Sequence, residues 1–355
     1  MNSQILISLC MIVKNEEDCL ERCLKSSLPF VDEIIIVDTG STDKTKEIAR
    51  KFTDKIYDFV WVDDFSKARN YALSKAHGKY LFWLDADDVI TEDNLKKLLK
   101  LKNNIDPSTD VYMLKYEVAF DKLNNPTFSY YRERIFKNDN SFFFVGAVHE
   151  AVAIHGKVER LDISIKHIKL KPTTPGRNLK IYEKLKKIKP FNERENYYYG
   201  RELYYNKKYS QAISALNKVI NKKDAWTENV LGALEIKADC LIALNKPDKA
   251  FNVLCQSFRF SPARANFLCK IGDIFFVQKK YSLAAFWYEN ALNCKKDYST
   301  GAFIVDDYYG YYPALQLCVV NYNQKQFKKA KEFNELALAF KPNDEIATAN
   351  KSIFT

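Results

Sequence analysis

Residues 80–88 of the chain read YLFWLDADD, a run of five apolar side chains that ends directly in an acidic turn. An unbroken apolar run of this length is typical of a strand that is buried on both faces of a parallel sheet. The acidic turn falls at the carboxyl end of that strand, where ligands bind on sheets of this kind. This stretch therefore predicts an α/β fold and the edge of the sheet that carries a site.

Strand and helix patterns alternate around this stretch. Predicted strands at residues 5–13, 33–38 and 55–62 each precede a predicted helix, and a further helix is predicted at 91–101. Such alternation predicts a mostly parallel sheet with right-handed crossovers. Two more polar clusters, VKNE at 13–16 and DTGS at 38–41, also fall at strand ends. Three polar clusters should therefore converge on one edge of the sheet.

The second half of the chain carries a repeated helical pattern. Four windows place a small residue twelve positions before an alanine: Gly200 and Ala212, Ala238 and Ala250, Gly272 and Ala284, Cys318 and Ala330. The windows are 38, 34 and 46 residues apart, against roughly 34 for tetratricopeptide repeats. The pattern predicts tetratricopeptide-like helical hairpins, with an irregular helical bundle as the alternative. With the turn-rich stretch 171–176 as the junction, we predict a catalytic domain at 1–175 and a repeat domain at 176–355.

Composition narrows the class of protein. A chain of 355 residues that is 47% apolar and 28% charged suits two globular domains. The net charge of +10 comes from dispersed lysine clusters without interleaved aromatics, so we expect no nucleic-acid partner. The sequence has no run of ~20 apolar residues, so we predict no membrane span. The eight scattered cysteines and the absence of a cleavage site predict a reducing, cytoplasmic location.

The sharpest chemical feature is the pair Asp85 and Asp87, one residue apart in the acidic turn. A nucleotide diphosphate must have its negative charge neutralised before it can leave, and a hard divalent cation held by carboxylates does this. The pair therefore predicts a Mn²⁺ or Mg²⁺ site. A solvated acidic loop is the alternative for such a pair in isolation.

Four ordered motifs between residues 8 and 89 resemble family 2 glycosyltransferases of the GT-A fold: MIVKNEE at 11–17, IVDTGSTD at 36–43, DFSKARN at 64–70 and WLDADD at 83–88. The resemblance implies a nucleotide-sugar donor, with uracil as the usual base. It also implies the residues that bind this donor, namely Val13, Asn15, Glu16, Asp38, Arg69, Asn70 and Asp85, with Asp85 and Asp87 as metal ligands.

A narrower resemblance rests on RERIF at 132–136, VGAVHE at 145–150 and YGREL at 199–203. These segments are similar to the peptide S-glycosyltransferases of glycocin bacteriocin clusters, and the arginine and His-Glu parts are shared with lipopolysaccharide-core glucosyltransferases. The resemblance covers residues 5–220. It implies a peptide or protein acceptor, with a glycan or lipid-linked acceptor as the alternative.

Four residues in or near these motifs have candidate roles. His149 is expected to be a third metal ligand or a diphosphate contact. Glu150 is the candidate general base of an inverting transfer, with Asp88 as its rival, because a carboxylate near the acceptor can remove its proton. Asp88 could instead stabilise the start of the following helix. Arg134 could clamp phosphate or pair with nearby acids.

Together these features predict an inverting, metal-dependent transferase that moves a sugar from a nucleotide-sugar, expected to be a UDP-sugar, to a Cys, Ser or Thr side chain of a polypeptide. The repeats are expected to hold that polypeptide. Tyrosines such as Tyr197, Tyr308 and Tyr309 are expected to offer contact area for it, although about half of these tyrosines are expected to pack between helices instead. A non-catalytic repeat scaffold with a degenerate transferase domain is the alternative. The repeats could also form a homodimer.

Overall fold

The computed structural model describes residues 5–122, 124–170, 174–301 and 303–354. They form two compact units, Met1–Lys189 and Pro190–Thr355. The first is α/β and the second is helical, so the predicted fold class is confirmed. Among the described residues, every helix is too short or too polar to cross a bilayer.

The first unit is built on an eight-stranded sheet with the order β3-β2-β1-β4-β7-β6-β10-β5, beside a two-stranded sheet of β8 and β9. Strand β1 pairs in parallel with β2 and β4, and β2 pairs in parallel with β3, whereas β7 runs antiparallel to both β4 and β6. The strands are β1 Ile7–Val13, β2 Glu33–Asp38, β3 Ile56–Asp58, β4 Tyr80–Trp83, β5 Asp88–Val89, β6 Val111–Phe120, β7 Pro126–Lys137, β8 Phe144–Val145, β9 Ala151–Val152 and β10 Val158–His167.

The three central strands β1, β2 and β4 are almost wholly buried, as their unbroken apolar runs predict. The predicted strand at 55–62 is shorter in the structure, because β3 pairs with the last three residues of β2 and its own last residue, Asp58, lies opposite Asp38 at the end of β2. Val60, in the predicted remainder, is 86% exposed.

Five helices belong to the first unit: α1 Leu20–Ser27, α2 Thr45–Arg50, α3 Phe65–Leu73, α4 Glu92–Asn103 and α5 Arg177–Ile188. The predicted boundary at residue 175 would assign α5 to the repeat domain. In the structure, the contacts of α5 assign it to the first unit, which extends to Lys189. Its Tyr182 is buried, and the Tyr182 hydroxyl donates a hydrogen bond to the Val148 carbonyl at 3.3 Å. Residues 171–173 of the predicted junction lie outside the described residues.

Strand β10 has no counterpart among the predicted elements. It runs parallel to β6, and β6 and β4 both run antiparallel to β7, so β10 and β4 end at the same edge of the sheet. The short strand β5 then pairs antiparallel with the end of β10, with Asp88 opposite His167. The topology therefore adds His167 to the edge that carries the acidic turn.

The second unit consists of helical hairpins that pack in sequence. Its helices are α6 Glu193–Tyr205, α7 Tyr209–Ile220, α8 Thr227–Ala243, α9 Pro247–Cys255, α10 Ala265–Val277, α11 Tyr281–Leu292, α12 Tyr311–Asn323, α13 Phe327–Phe340 and α14 Glu345–Lys351. Each predicted pair of small residues lies across one hairpin. A Cβ atom on Gly272 would stand 2.6 Å from the Tyr288 ring, which shows why this crossing needs a small residue.

At the edge of the sheet opposite the acidic turn, Glu33 is buried and accepts hydrogen bonds from the Ser8 hydroxyl (2.5 Å), the His77 backbone (2.7 Å) and the Lys55 ammonium. Burial opposes ionisation, but these donors outweigh it and lower the pKa of Glu33 from 4.5 to about 2. The stabilisation by ionised Glu33 is therefore present above about pH 4.5 and lost as the pH falls towards 2.

We expect Glu33→Gln to destabilise the first unit by on the order of 1–2 kcal/mol at pH 7, allowing for the solvent exposure of Lys55 and His77. The difference from the wild type should shrink as the pH falls from 4.5 to 3. Hydrogen exchange of the β2 amides measures this for the first unit alone. The exposed Glu47 gives the control Glu47→Gln, and an equal gap at both pH values would contradict the assignment.

Candidate active site

The loops that follow β1 and β2 are bonded to each other at the carboxyl edge of the sheet. The Thr39 amide donates to the Val13 carbonyl at 2.9 Å, and the Asn15 side-chain oxygen accepts from the Thr42 amide at 2.7 Å. The Glu16 amide donates to the Thr45 hydroxyl at 2.7 Å. Asn15 has a φ of 56°, a left-handed conformation that asparagine tolerates better than most residues. Val13, Asn15 and Glu16, which the sequence predicts to bind the nucleotide-sugar, thus belong to a double loop, formed by the loops after β1 and β2 and held together by these bonds.

Asp38 is buried at the end of β2, with 1% of its surface exposed. Its Oδ2 atom accepts hydrogen bonds from the amides of Gly40 (3.0 Å) and Ser41 (2.9 Å), and Lys46 lies 3.8 Å away. Its Oδ1 atom has no hydrogen-bond partner among the described residues. Asp38 therefore supports the loop with one oxygen and leaves the other as an acceptor.

The three carboxylates of the acidic turn differ in access. The side chains of Asp85 and Asp87 are 30% and 21% exposed, whereas that of Asp88 is fully buried. Asp88 Oδ2 accepts from the Asp85 amide at 2.9 Å and lies 3.0 Å from Arg134 Nη1. The Tyr116 hydroxyl donates to Asp88 Oδ1 at 2.9 Å. Asp88 thus holds the turn from below while the other two carboxylates face outward.

His167 completes this cluster from the end of β10. Its Nδ1 atom lies 3.2 Å from both Asp87 Oδ1 and Asp88 Oδ1. Burial alone would lower the pKa of His167, but the two carboxylates outweigh it and raise the pKa to about 10. Asp85, Asp88 and His167 offer ligand atoms that all lie within 4.8 Å of one another. Two carboxylates and a histidine fit a divalent cation, which would displace the proton of the histidine on binding.

His149 precedes Glu150 and the short strand β9 and has a φ of 53°. Among the described residues, the group that offers converging ligand atoms contains His167 and not His149. The role expected of His149, as a metal ligand or a diphosphate contact, therefore stays a prediction.

Arg69 of α3 links the acidic turn to Glu150. Its Nη2 atom donates to Asp85 Oδ1 at 2.6 Å, and its Nε atom donates to Glu150 Oε1 at 2.7 Å. The Glu150 side chain is 12% exposed. Burial would raise the pKa of Asp85, but the Arg69 and Arg134 guanidiniums hold it well below its usual range. Arg69 therefore places Glu150 beside the turn and keeps Asp85 ionised.

One indole ring supports three arginines. The guanidinium carbons of Arg134, Arg69 and Arg132 lie 3.9, 4.6 and 4.9 Å from the centre of the buried Trp83 ring. Such contacts place cations on an aromatic face within the usual 6 Å limit. Of the two roles considered for Arg134, the structure shows pairing with an acid, because the fully buried guanidinium contacts Asp88.

The side chain of Asn70 is bonded to the backbone of β8. Its amide nitrogen donates to the Phe144 carbonyl at 2.9 Å, and its amide oxygen accepts from the Phe144 backbone at 2.7 Å. Both ends of the side chain thus mimic a strand partner for β8. The structure gives Asn70 a bracing role in the segment that precedes Glu150.

Residues 8–149 match the family described as glycosyl transferase family 2, and residues 178–257 match the family of the anaphase-promoting complex, cyclosome, subunit 3. The first match contains all four motifs of the acidic edge. The predicted family 2 glycosyltransferase domain and the predicted repeat-like region are thereby confirmed.

Two relatives are similar to parts of the chain. A TPR repeat-containing protein of Synechococcus elongatus is 37% identical over 147 residues, which cover 41% of this chain and 35% of that protein. The SPbeta prophage-derived glycosyltransferase SunS of Bacillus subtilis is 27% identical over 263 residues, or 67% of this chain and 59% of SunS. The chain therefore spans less than two thirds of the length of either relative.

Among solved structures, Staphylococcus aureus TarS 1–349 in complex with UDP covers 78% of this chain and 92% of that chain, with 15% identity and a TM-score of 0.37. A score this low carries no argument about fold or function.

The buried pair of Arg134 and Asp88 leads to a prediction about stability. We expect Arg134→Met to cost the first unit about 3–5 kcal/mol, because it leaves the Asp88 charge buried without its partner. Adding Asp88→Asn should recover part of that loss. Urea unfolding, followed by hydrogen exchange of the β4 amides, gives the free energies.

Arg132→Met is the matched control, because Arg132 touches the same indole ring and is 20% exposed. An equal loss in both single variants would show that contact with Trp83, rather than the charge pair, stabilises this region.

Proposed function

We propose that this chain is an inverting, metal-dependent glycosyltransferase that moves a sugar from a UDP-sugar to a side chain of a peptide or protein. The observation that carries the proposal is the acidic turn with His167 at the carboxyl edge of a domain that matches glycosyl transferase family 2. The identity of the donor, the metal and the acceptor all belong to the proposal.

The charge of the cluster supports a cation. A histidine that ligates a metal is neutral. The three arginines then face five carboxylates, which leaves a net charge of −2 for a divalent cation to balance: Arg69, Arg132 and Arg134 against Asp85, Asp87, Asp88, Glu133 and Glu150. Mn²⁺ or Mg²⁺ would be held by Asp85, Asp87 and His167, with Asp88 beneath them. When bound, the cation neutralises the diphosphate that leaves.

The double loop supports the donor assignment. The open Oδ1 atom of Asp38 is a buried acceptor, which suits an N–H donor such as that of a uracil ring. Because the other oxygen of Asp38 also holds the turn at Gly40 and Ser41, its substitution would disturb the loop as well as the ligand.

Of the two candidate bases, the geometry favours Glu150. Asp88 is fully buried and already engages Arg134, Tyr116 and the Asp85 backbone, so an acceptor could reach it only if the turn opened. Glu150 keeps one carboxylate oxygen free of Arg69. In this role Glu150 would take the proton of the acceptor hydroxyl or thiol as the sugar is transferred.

The repeats support a polypeptide acceptor. Stacked helical hairpins offer an extended surface on which a chain segment can lie. The similarity to SunS extends beyond the family 2 match to 67% of the chain.

The two histidines make a matched pair for a test of the metal site. We expect His167→Ala to weaken Mn²⁺ binding, measured by electron paramagnetic resonance, by about 10- to 100-fold, on the scale seen when groups around a metal are removed. His149→Ala should change it less than threefold. Hydrolysis of UDP-sugars, assayed over a panel of donors, should need the metal and stop with chelator. If His149→Ala weakened Mn²⁺ binding more than His167→Ala, or if hydrolysis continued at the full rate in excess chelator, the assignment would be overturned.

Glu150 can be tested against a distant glutamate. We expect Glu150→Gln to lower kcat of transfer by about 10²- to 10⁴-fold, the usual range for general base catalysis. Its affinity for UDP, measured by calorimetry without acceptor, should stay within threefold of the wild type. The exposed Glu159 supplies the control variant Glu159→Gln. If Glu150→Gln kept the kcat of the wild type, Glu150 would not be the general base and Asp88 would be the preferred candidate.

A further inference from the structure

A cavity of about 110 Å³ opens among the first helices of successive hairpins in the second unit. Its walls come from α6, α8, α10 and the short 3-10 helix Asp306–Tyr309. The cavity lies entirely within this unit and uses none of the residues of the acidic turn. Its volume suits one long side chain rather than a folded segment.

Glu235 of α8 supplies a carboxylate to this cavity. The side chain of Glu235 is 27% exposed, and one of its oxygens accepts a hydrogen bond from the Asn266 amide at 3.0 Å. The nearest cation, Lys270, lies 3.6 Å from the other oxygen but contacts Asp239 at 2.7 and 3.0 Å. Burial raises the pKa of Glu235 despite Lys270, so the carboxylate lacks full compensation.

Two pairs of opposite charge flank the cavity. Arg264 forms two hydrogen bonds with Glu228, at 2.7 and 2.8 Å. Lys270 and Asp239 form a second pair. Because Lys270 lies closer to Asp239 than to Glu235, the carboxylate of Glu235 can still pair with a further cation.

Three tyrosines complete the walls. Tyr197 is 6% exposed, and Tyr308 and Tyr309 are half-buried. None of the three hydroxyls forms a hydrogen bond with a described residue. Tyr197 lies against Gly232, where a Cβ atom would stand 2.5 Å from the tyrosine oxygen, so the ring has its place because the helix offers no side chain there.

We propose that this cavity binds the side chain of a lysine or arginine in a polypeptide. An ammonium or guanidinium group would pair with Glu235, donate hydrogen bonds to the open hydroxyls and lie against aromatic faces. An apolar side chain would bury the same carboxylate further without adding a cation to pair with it. The polypeptide part of this inference rests on the proposed function, because it assigns a basic residue to the segment that the repeats hold.

The test measures binding of fluorescein-labelled, capped pentapeptides to the full chain by fluorescence polarisation, without any nucleotide-sugar. The peptides are Ala-Ala-Xaa-Ala-Ala with lysine, arginine, norleucine or glutamate at the centre. We expect the better of the lysine and arginine peptides to bind at least tenfold more tightly than the norleucine peptide. Equal binding of the norleucine peptide would overturn the proposal.

Two variants locate the effect. Glu235→Gln should abolish the preference for the basic peptide, whereas Glu289→Gln, on the exposed side of α11, should keep it. If Glu235→Gln does not fold, Tyr309→Leu removes an aromatic wall and should weaken basic-peptide binding at least threefold. A preference that survives in the folded variant overturns the site.

N-acetyl-lysine amide, used as a competitor, distinguishes a polypeptide from a small amine. If it competes as well as the unlabelled lysine pentapeptide, the polypeptide part of the proposal fails. Because no donor is present, these results are independent of UDP-sugar turnover. If the full chain hydrolysed UDP-sugars but did not prefer the basic peptides, this inference alone would be refuted. If it preferred the basic peptides but did not hydrolyse UDP-sugars, the proposed transfer alone would be refuted.

Discussion

The contact on which the acidic edge depends is the ion pair between Arg134 and Asp88, both fully buried. An isolated charge at this depth would cost several kcal/mol, so each group needs the other. Asp88 in turn accepts from the Asp85 backbone and the Tyr116 hydroxyl, and Arg134 lies over the Trp83 ring. The pair therefore fixes the turn, the strand that precedes it and the strand opposite. The outward carboxylates can remain close together because Arg69 contacts Asp85 and His167 contacts Asp87.

The same arrangement divides the carboxylates by role. Asp85 and Asp87 are the accessible members, and Asp88 supports them. Arg69 spans from Asp85 to Glu150, so one guanidinium holds both the proposed metal ligand and the proposed general base. A change at Arg69 would consequently affect both positions together.

Much of this could be predicted from the sequence, for identifiable reasons. The buried strands β1, β2 and β4 are nearly uniform apolar runs, and their ends are marked by polar motifs, so the edge of the sheet followed from local pattern alone. The small residues at the hairpin crossings likewise stand twelve positions apart within each pair. The histidine of the cluster did not follow, because β10 reaches the site only through long-range pairing with β6. A signal was present: Leu161, Ile163, Ile165 and His167 alternate as the buried face of a strand does. The burial of Asp38 and Asp88 was also beyond local pattern, since it depends on what covers them.

The separation of His167 from the acidic turn has a consequence for how the protein is made. His167 and Asp88 lie 79 positions apart in the chain. Because the ribosome adds about 5–20 residues per second, His167 would be synthesised on the order of 4–16 s after the acidic turn. During that interval three neighbouring carboxylates repel one another, and β6 lacks the partner on its outer side. The nascent domain would thus complete its proposed cation site and its last long strand in the same late event, and chains that end before β10 would lack both.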